Sequence, residues 1–113
     1  MAKVYGVWEY QRRPEVTAEE FEQAVRDLLA QPTPAGFRIS FLKGDRGSRA
    51  GAYLRLWEID STEARDRIVT AEGLTAEGEQ WFADNPGWRA AQAKLDSLAL
   101  ESPWTDYVVF ASQ

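Results

Sequence analysis

The chain has 113 residues, 13 Lys and Arg against 18 Asp and Glu, 14 aromatics, no cysteine and no histidine. Without Cys there is no disulfide, thiolate nucleophile, zinc knuckle or iron–sulfur cluster, and without His no Ser-His-Asp triad and no imidazole ligand for metal or haem. Acid–base chemistry falls to Asp, Glu, Lys, Tyr or water. The net charge of −5 argues against nucleic-acid binding. No apolar run reaches the roughly 18 residues of a membrane span, and the N-terminus has no signal-peptide core, so a soluble cytoplasmic protein is expected. The length fits one domain over residues 1–113. Acids concentrate in residues 58–84, which hold eight against two bases.

Lys3–Tyr10 is a strand, rich in β-branched and aromatic residues and apolar on both faces. Pro14 ends it. Thr17-Ala-Glu-Glu20 is a capping box, and Phe21, Val25, Leu28 and Leu29 then form one helical stripe. Pro32, Pro34 and Gly36 stop that helix. Phe37–Lys43 and Tyr53–Ile59 are strands joined by a Gly-rich loop, Gly44–Gly51. Asp60-Ser-Thr-Glu63 caps a second helix over 61–70, interrupted at Gly73. A short helix over 75–83 carries Trp81 and Phe82. Asn85-Pro86 opens a further helix to about Ala99, and Tyr107–Ala111 is the last strand.

The order β-α-β-β-α-β, with a broken second helical region, predicts an α+β ferredoxin-like domain with strand order 4-1-3-2. Helices cover one sheet face. Whichever face remains exposes apolar residues, either Tyr5 and Val7 with Leu54 and Leu56, or Trp8 with Tyr53 and Trp57. A monomer rarely shows such a patch, so a homodimer packed through the sheet face is expected.

This pattern resembles the dimeric α+β barrel superfamily. Within it, Leu56-Trp57-Glu58-Ile59-Asp60-Ser61, then Arg65, then Asn85-Pro86-Gly87-Trp88, is similar to the strand–helix segment of NIPSNAP-type domains. Glu58 stands where a basic residue is more usual there, and Gly73–Asp84 reads as an insertion. The resemblance implies a range that includes cofactor-free monooxygenases of the antibiotic-biosynthesis type, haem-degrading enzymes, isomerases, dehydratases and members without known activity. The missing histidine removes the haem branch and the histidine-assisted monooxygenases.

Candidate site residues follow from chemistry. Glu9 and Glu58 interrupt apolar strands; if buried, either could act as a general base, and if exposed, either is an ion-paired strand-end carboxylate. Trp8, Trp57 and Tyr53 could line a pocket for a flat organic molecule or serve only as core and interface. Arg55 could stabilise an enolate or carboxylate. Lys43 and Arg46, in a loop with three bases and one acid, could grip an anion, or could be solvated and bridge to acids. Trp81, Phe82 and Trp88 read as a lid or as a staple between helices. No metal site and no cofactor are expected, and the ligand is a small apolar or anionic organic molecule. The leading function is small-molecule binding, with cofactor-independent monooxygenase or isomerase chemistry on an aromatic or polyketide-like substrate. The alternative is a non-enzymatic dimeric interaction or stress-response protein.

Overall fold

Strand pairing places the first strand in the centre of the sheet, as the expected order requires. The computed structural model describes residues 2–113. The elements are β1 (Val4–Arg12), α1 (Ala18–Leu29), β2 (Phe37–Lys43), β3 (Tyr53–Ile59), α2 (Thr62–Ile68), β4 (Val69–Thr70), β5 (Gly73–Leu74), α3 (Ala76–Asp84), α4 (Pro86–Leu98), β6 (Ala99–Glu101) and β7 (Thr105–Val108). The antiparallel sheet runs β2-β3-β1, and β6 and β7 share the other edge of β1. This is the ferredoxin-like α+β fold.

Local chemistry accounts for most boundaries. Thr17 closes the capping box: its hydroxyl accepts from the Glu20 backbone N–H, and the Glu20 carboxylate accepts from the Thr17 N–H. Ser61 and Thr75 cap α2 and α3 through their hydroxyls. The N-terminal turn of α3 lies directly on α2. A Cβ at Gly78 would stand 2.1 Å from the Ile68 carbonyl oxygen, so only glycine fits.

Two expectations are corrected. The second helix ends at Ile68 rather than running to residue 70, because Val69–Thr70 turns back against Gly73–Leu74 as a two-residue hairpin. The fourth strand is broken in two and spans Ala99–Glu101 and Thr105–Val108 rather than 107–111. Pro103 has no N–H to continue the ladder. Ser102 bridges the break from both sides, its N–H donating to the Glu9 carbonyl and its Oγ accepting from the Glu9 N–H, each at 2.9 Å.

The helices cover the face that carries Val4, Gly6, Trp8 and Tyr10 of β1 and Tyr53, Arg55, Trp57 and Ile59 of β3. Phe21, Leu28 and Leu95 are fully buried between sheet, α1 and α4. The other face carries Tyr5, Val7, Leu54 and Leu56, with Leu42, Leu100 and Tyr107 exposed around them. Nothing among the described residues covers it. The molecule is a slab of 41 × 39 × 23 Å. Its accessible surface of 7314 Å² exceeds the roughly 6,300 Å² of a compact monomer of this mass. No helix among the described residues is long and apolar enough to cross a membrane.

Candidate functional site

A cavity of about 670 Å³ opens between the sheet and the broken helical region. Its floor is Gly6 and Trp8 of β1 with Arg55, Trp57 and Ile59 of β3. Residues of the 65–74 segment, Phe82 of α3, Trp88 of α4, and Trp104 and Asp106 complete the lining. The lining is aromatic. Phe37 meets Trp57 edge-on at 5.8 Å between ring centroids, Trp57 packs on Trp88 at 5.6 Å, and Trp104 stacks on Trp8 at 5.9 Å. The strand break at Pro103 is what turns Trp104 onto Trp8. Trp88 is buried in the core while Phe82 and Trp88 also face the cavity, so this cluster both staples α3 to α4 and walls the opening.

Arg55 is the charged group at the inner end of this space, and it is 5 % exposed. Its guanidinium carbon lies 5.6, 5.1 and 5.3 Å from the ring centroids of Trp8, Tyr10 and Phe41. Three aromatic faces give a cation–π cage. Its Nη2 donates to Gln92 Oε1 at 2.6 Å, while its Nε is buried with no hydrogen-bond partner. No carboxylate oxygen among the described residues lies within 4 Å of it. Burial pulls the guanidinium pKa below its usual value, opposed by the fields of Tyr10, Glu101 and Asp96. Such a cation favours any anion that reaches it. Beside it, burial pushes the Tyr10 phenol well above its usual range, and the phenol donates to Glu101 Oε2 at 2.9 Å.

The structure brings Trp8, Trp57 and Arg55 together and places the other candidates elsewhere. Glu9 and Glu58 lie on the open face, opposite the cavity. Glu9 pairs with Arg49 at 2.7 Å and Glu58 with Lys3 at 3.4 Å, both in partly exposed positions. Their strand parity with Tyr5, Val7, Leu54 and Leu56 puts them there. Neither is a buried base beside the cavity. Tyr53 is buried on the covered face but at the far end of β3, where its hydroxyl donates to Glu22 Oε2 at 2.5 Å. Lys43 meets the same oxygen at 3.0 Å. The hydrogen bond from Tyr53, and then the one from Lys43, holds the Glu22 carboxyl below the usual range. Arg46 reaches into solvent with only Asp45 at 4.0 Å, so the bases of the Gly-rich loop do not converge on one point.

Asp106, Arg65 and Trp104 line the cavity without having been singled out as binding groups in the sequence. The signal for Asp106 was an acid of the same strand parity as Val108, one residue before the expected strand start. Arg65 appears in the sequence only within the NIPSNAP-like segment.

Fold and site together define a ferredoxin-like α+β domain with an aromatic cavity under its helices. No family model matches the sequence, and no curated protein does. Solved structures of the same fold are similar over nearly the whole chain. One is a variant of SnoaB, a cofactor-independent oxygenase from Streptomyces nogalater, with TM-score 0.63 and 15% identity over 97% of this chain and 95% of that one. Another is a dimeric ferredoxin-like protein of unknown function from Thermobifida fusca, with TM-score 0.60 and 15% identity over 96% and 92%. A third is a NIPSNAP-like domain protein from Burkholderia xenovorans, with TM-score 0.60 and 18% identity over 97% and 85%. At these identities the likeness is one of fold, and it agrees with the ferredoxin-like fold read from the sequence.

Proposed function

We propose that the cavity binds a flat aromatic molecule with an anionic or carbonyl end held by Arg55, and that the protein acts on it as a cofactor-independent oxygenase or isomerase. The observation that carries this reading is the buried guanidinium at the end of an aromatic cavity, with an orphaned Nε and no carboxylate partner. A buried unpaired charge is costly, and an incoming enolate, phenolate or carboxylate offsets that cost. Oxygenation without metal or flavin requires an electron-rich substrate carbanion. A substrate that binds already ionised has left its proton in bulk water, so the step needs no base in the cavity; Arg55 would stabilise that anion, and the apolar walls would keep water from quenching it. Molecular oxygen then adds to the carbanion carbon and takes up its electron pair, and the hydroperoxide formed with one proton loses water to leave a carbonyl. A chain without His or Cys suits this chemistry, and one neighbour of the same fold is a cofactor-independent oxygenase.

The same reading includes a homodimer. The open face carries Tyr5, Val7, Leu54 and Leu56, and the surface exceeds that of a compact monomer by about 1,000 Å². A standard interface buries about 800 Å² per partner. Glu9 and Glu58 then lie at the interface. This open face also favours a second reading, in which the dimer is the function and no reaction occurs.

The test is titration of tryptophan fluorescence with 2-naphthoate. Saturable quenching is expected, weakened about tenfold in Arg55→Gln and less in Arg55→Lys, which keeps the charge. Absence of saturable quenching in the wild type, or unchanged affinity in a folded Arg55→Gln, would leave the non-enzymatic dimer.

A further inference from the structure

We propose that Asp106 is a specificity-determining residue of this cavity, selecting ligands that carry a hydrogen-bond donor at the end remote from Arg55. The assignment rests on the cavity-binding reading above and deepens it. Asp106 stands opposite Gly6 in the β1–β7 ladder, facing the cavity. Its carboxylate lies over the bare Gly6 backbone, with Oδ1 3.0 Å from the place a Cβ would take. Glycine inside a central strand marks a close approach, and here the approaching group is this carboxylate. Oδ2 accepts from Arg65 Nη1 at 3.3 Å. Oδ1 has no hydrogen-bond partner among the described residues and is left to accept one from a ligand.

Three constraints aim that oxygen. Arg65 holds its twin. Gly6 gives it room. The two Ser102–Glu9 hydrogen bonds fix the register of β7 after the strand break, so Asp106 cannot slide along β1. Arg55 pairs with Trp8 in the ladder, while Gly6 pairs with both Trp57 and Asp106. Arg55 and Asp106 are therefore two strands and two residues apart, about 12 Å between backbone positions. Trp8 and Gly6 lie between them on the cavity floor. Arg55 offers donors only and Asp106 acceptors only. The site therefore has a polarity: a donor-free, anion-bearing end faces Arg55, and a hydroxyl or amino group faces Asp106. A carbonyl turned toward Oδ1 sets two acceptors against each other.

The experiment compares 2-naphthoate with 6-hydroxy-2-naphthoate on wild type, Asp106→Ala and Gly6→Ala, by tryptophan fluorescence with thermal melts as fold controls. Wild type is expected to prefer the hydroxylated probe about tenfold. Asp106→Ala should lose the preference, read as the ratio of the variant's own affinities for the two probes, and Asp106→Asn, which keeps one acceptor oxygen, should restore part of it. Gly6→Ala should also lower the preference, because its methyl displaces the carboxylate without removing its charge. Equal affinity of wild type for the two probes, or an undiminished preference in Asp106→Ala, overturns the assignment and leaves the cavity reading standing. Failure of both probes to bind wild type overturns the cavity reading and this assignment with it.

Discussion

The two faces of the sheet are built from the same kinds of residue and have opposite fates. The covered face buries Val4, Tyr10, Tyr53 and Ile59 against helices and still leaves an aromatic space around Trp8, Trp57 and Arg55. The open face sets Tyr5, Val7, Leu54 and Leu56 side by side, with Glu9 and Glu58 in ion pairs. The covered face is concave because its helical layer is broken: α2, the 69–74 hairpin, α3 and α4 replace one long helix. Hydrophobicity alone thus does not mark the ligand site. Concavity and an unpaired buried charge do.

The comparison breaks most severely if the covered face loses its packing. Phe21 is fully buried and its ring lies 4.5 Å from that of Tyr53. Phe21→Ala should cost about 3–5 kcal/mol in chemical denaturation. On the open face, Leu54→Lys together with Leu56→Lys should halve the mass measured by light scattering, by placing like charges across a two-fold interface. Retention of the wild-type mass would show that this face does not join two copies. A milder effect separates the faces by pH. Burial raises the Tyr10 phenol pKa in the folded state above the unfolded value of about 10. The unfolded chain therefore releases this proton first, and stability should fall as pH rises above about 10. Tyr10→Phe should flatten that slope. The smallest change is expected from Glu9→Gln and Glu58→Gln. Each removes a partly exposed ion pair on the face away from the cavity, so stability should move by no more than about 1 kcal/mol and naphthoate affinity should hold. A large loss of affinity in either variant would return the glutamates to the ligand site.

Much of this was legible in the chain. Phe37–Lys43 and Tyr53–Ile59 have the expected bounds, because alternation and flanking glycines specify short strands well. Thr17 announces α1 through a local box. The partition of each strand into two faces was also readable, and Glu9 and Glu58 do share parity with Tyr5 and Leu56. Which face the helices cover was not readable, since both are apolar, and that choice decides whether a glutamate meets a cavity or an interface. β6 was hidden because Ala99 continues the helical spacing of Leu95 and Leu98; only pairing with Arg12 converts it to strand. Asp106 was hidden for a similar reason. Aspartate is a poor strand former, and its place at the cavity is set by pairing with Gly6, a hundred residues earlier in the chain.

That last separation bears on how the molecule is made. β1 is the central strand, yet one of its edges is completed only by β6 and β7, near the other end of the sequence. Contacts so distant along the chain form slowly, because a long loop must close before they gain anything. During synthesis β1 leaves the ribosome well before β6 and β7 and keeps one bare edge until they have been translated. Over that interval a strand with apolar residues on both faces keeps one edge unpaired, which makes the nascent chain most prone to association at the stage just before it becomes most ordered.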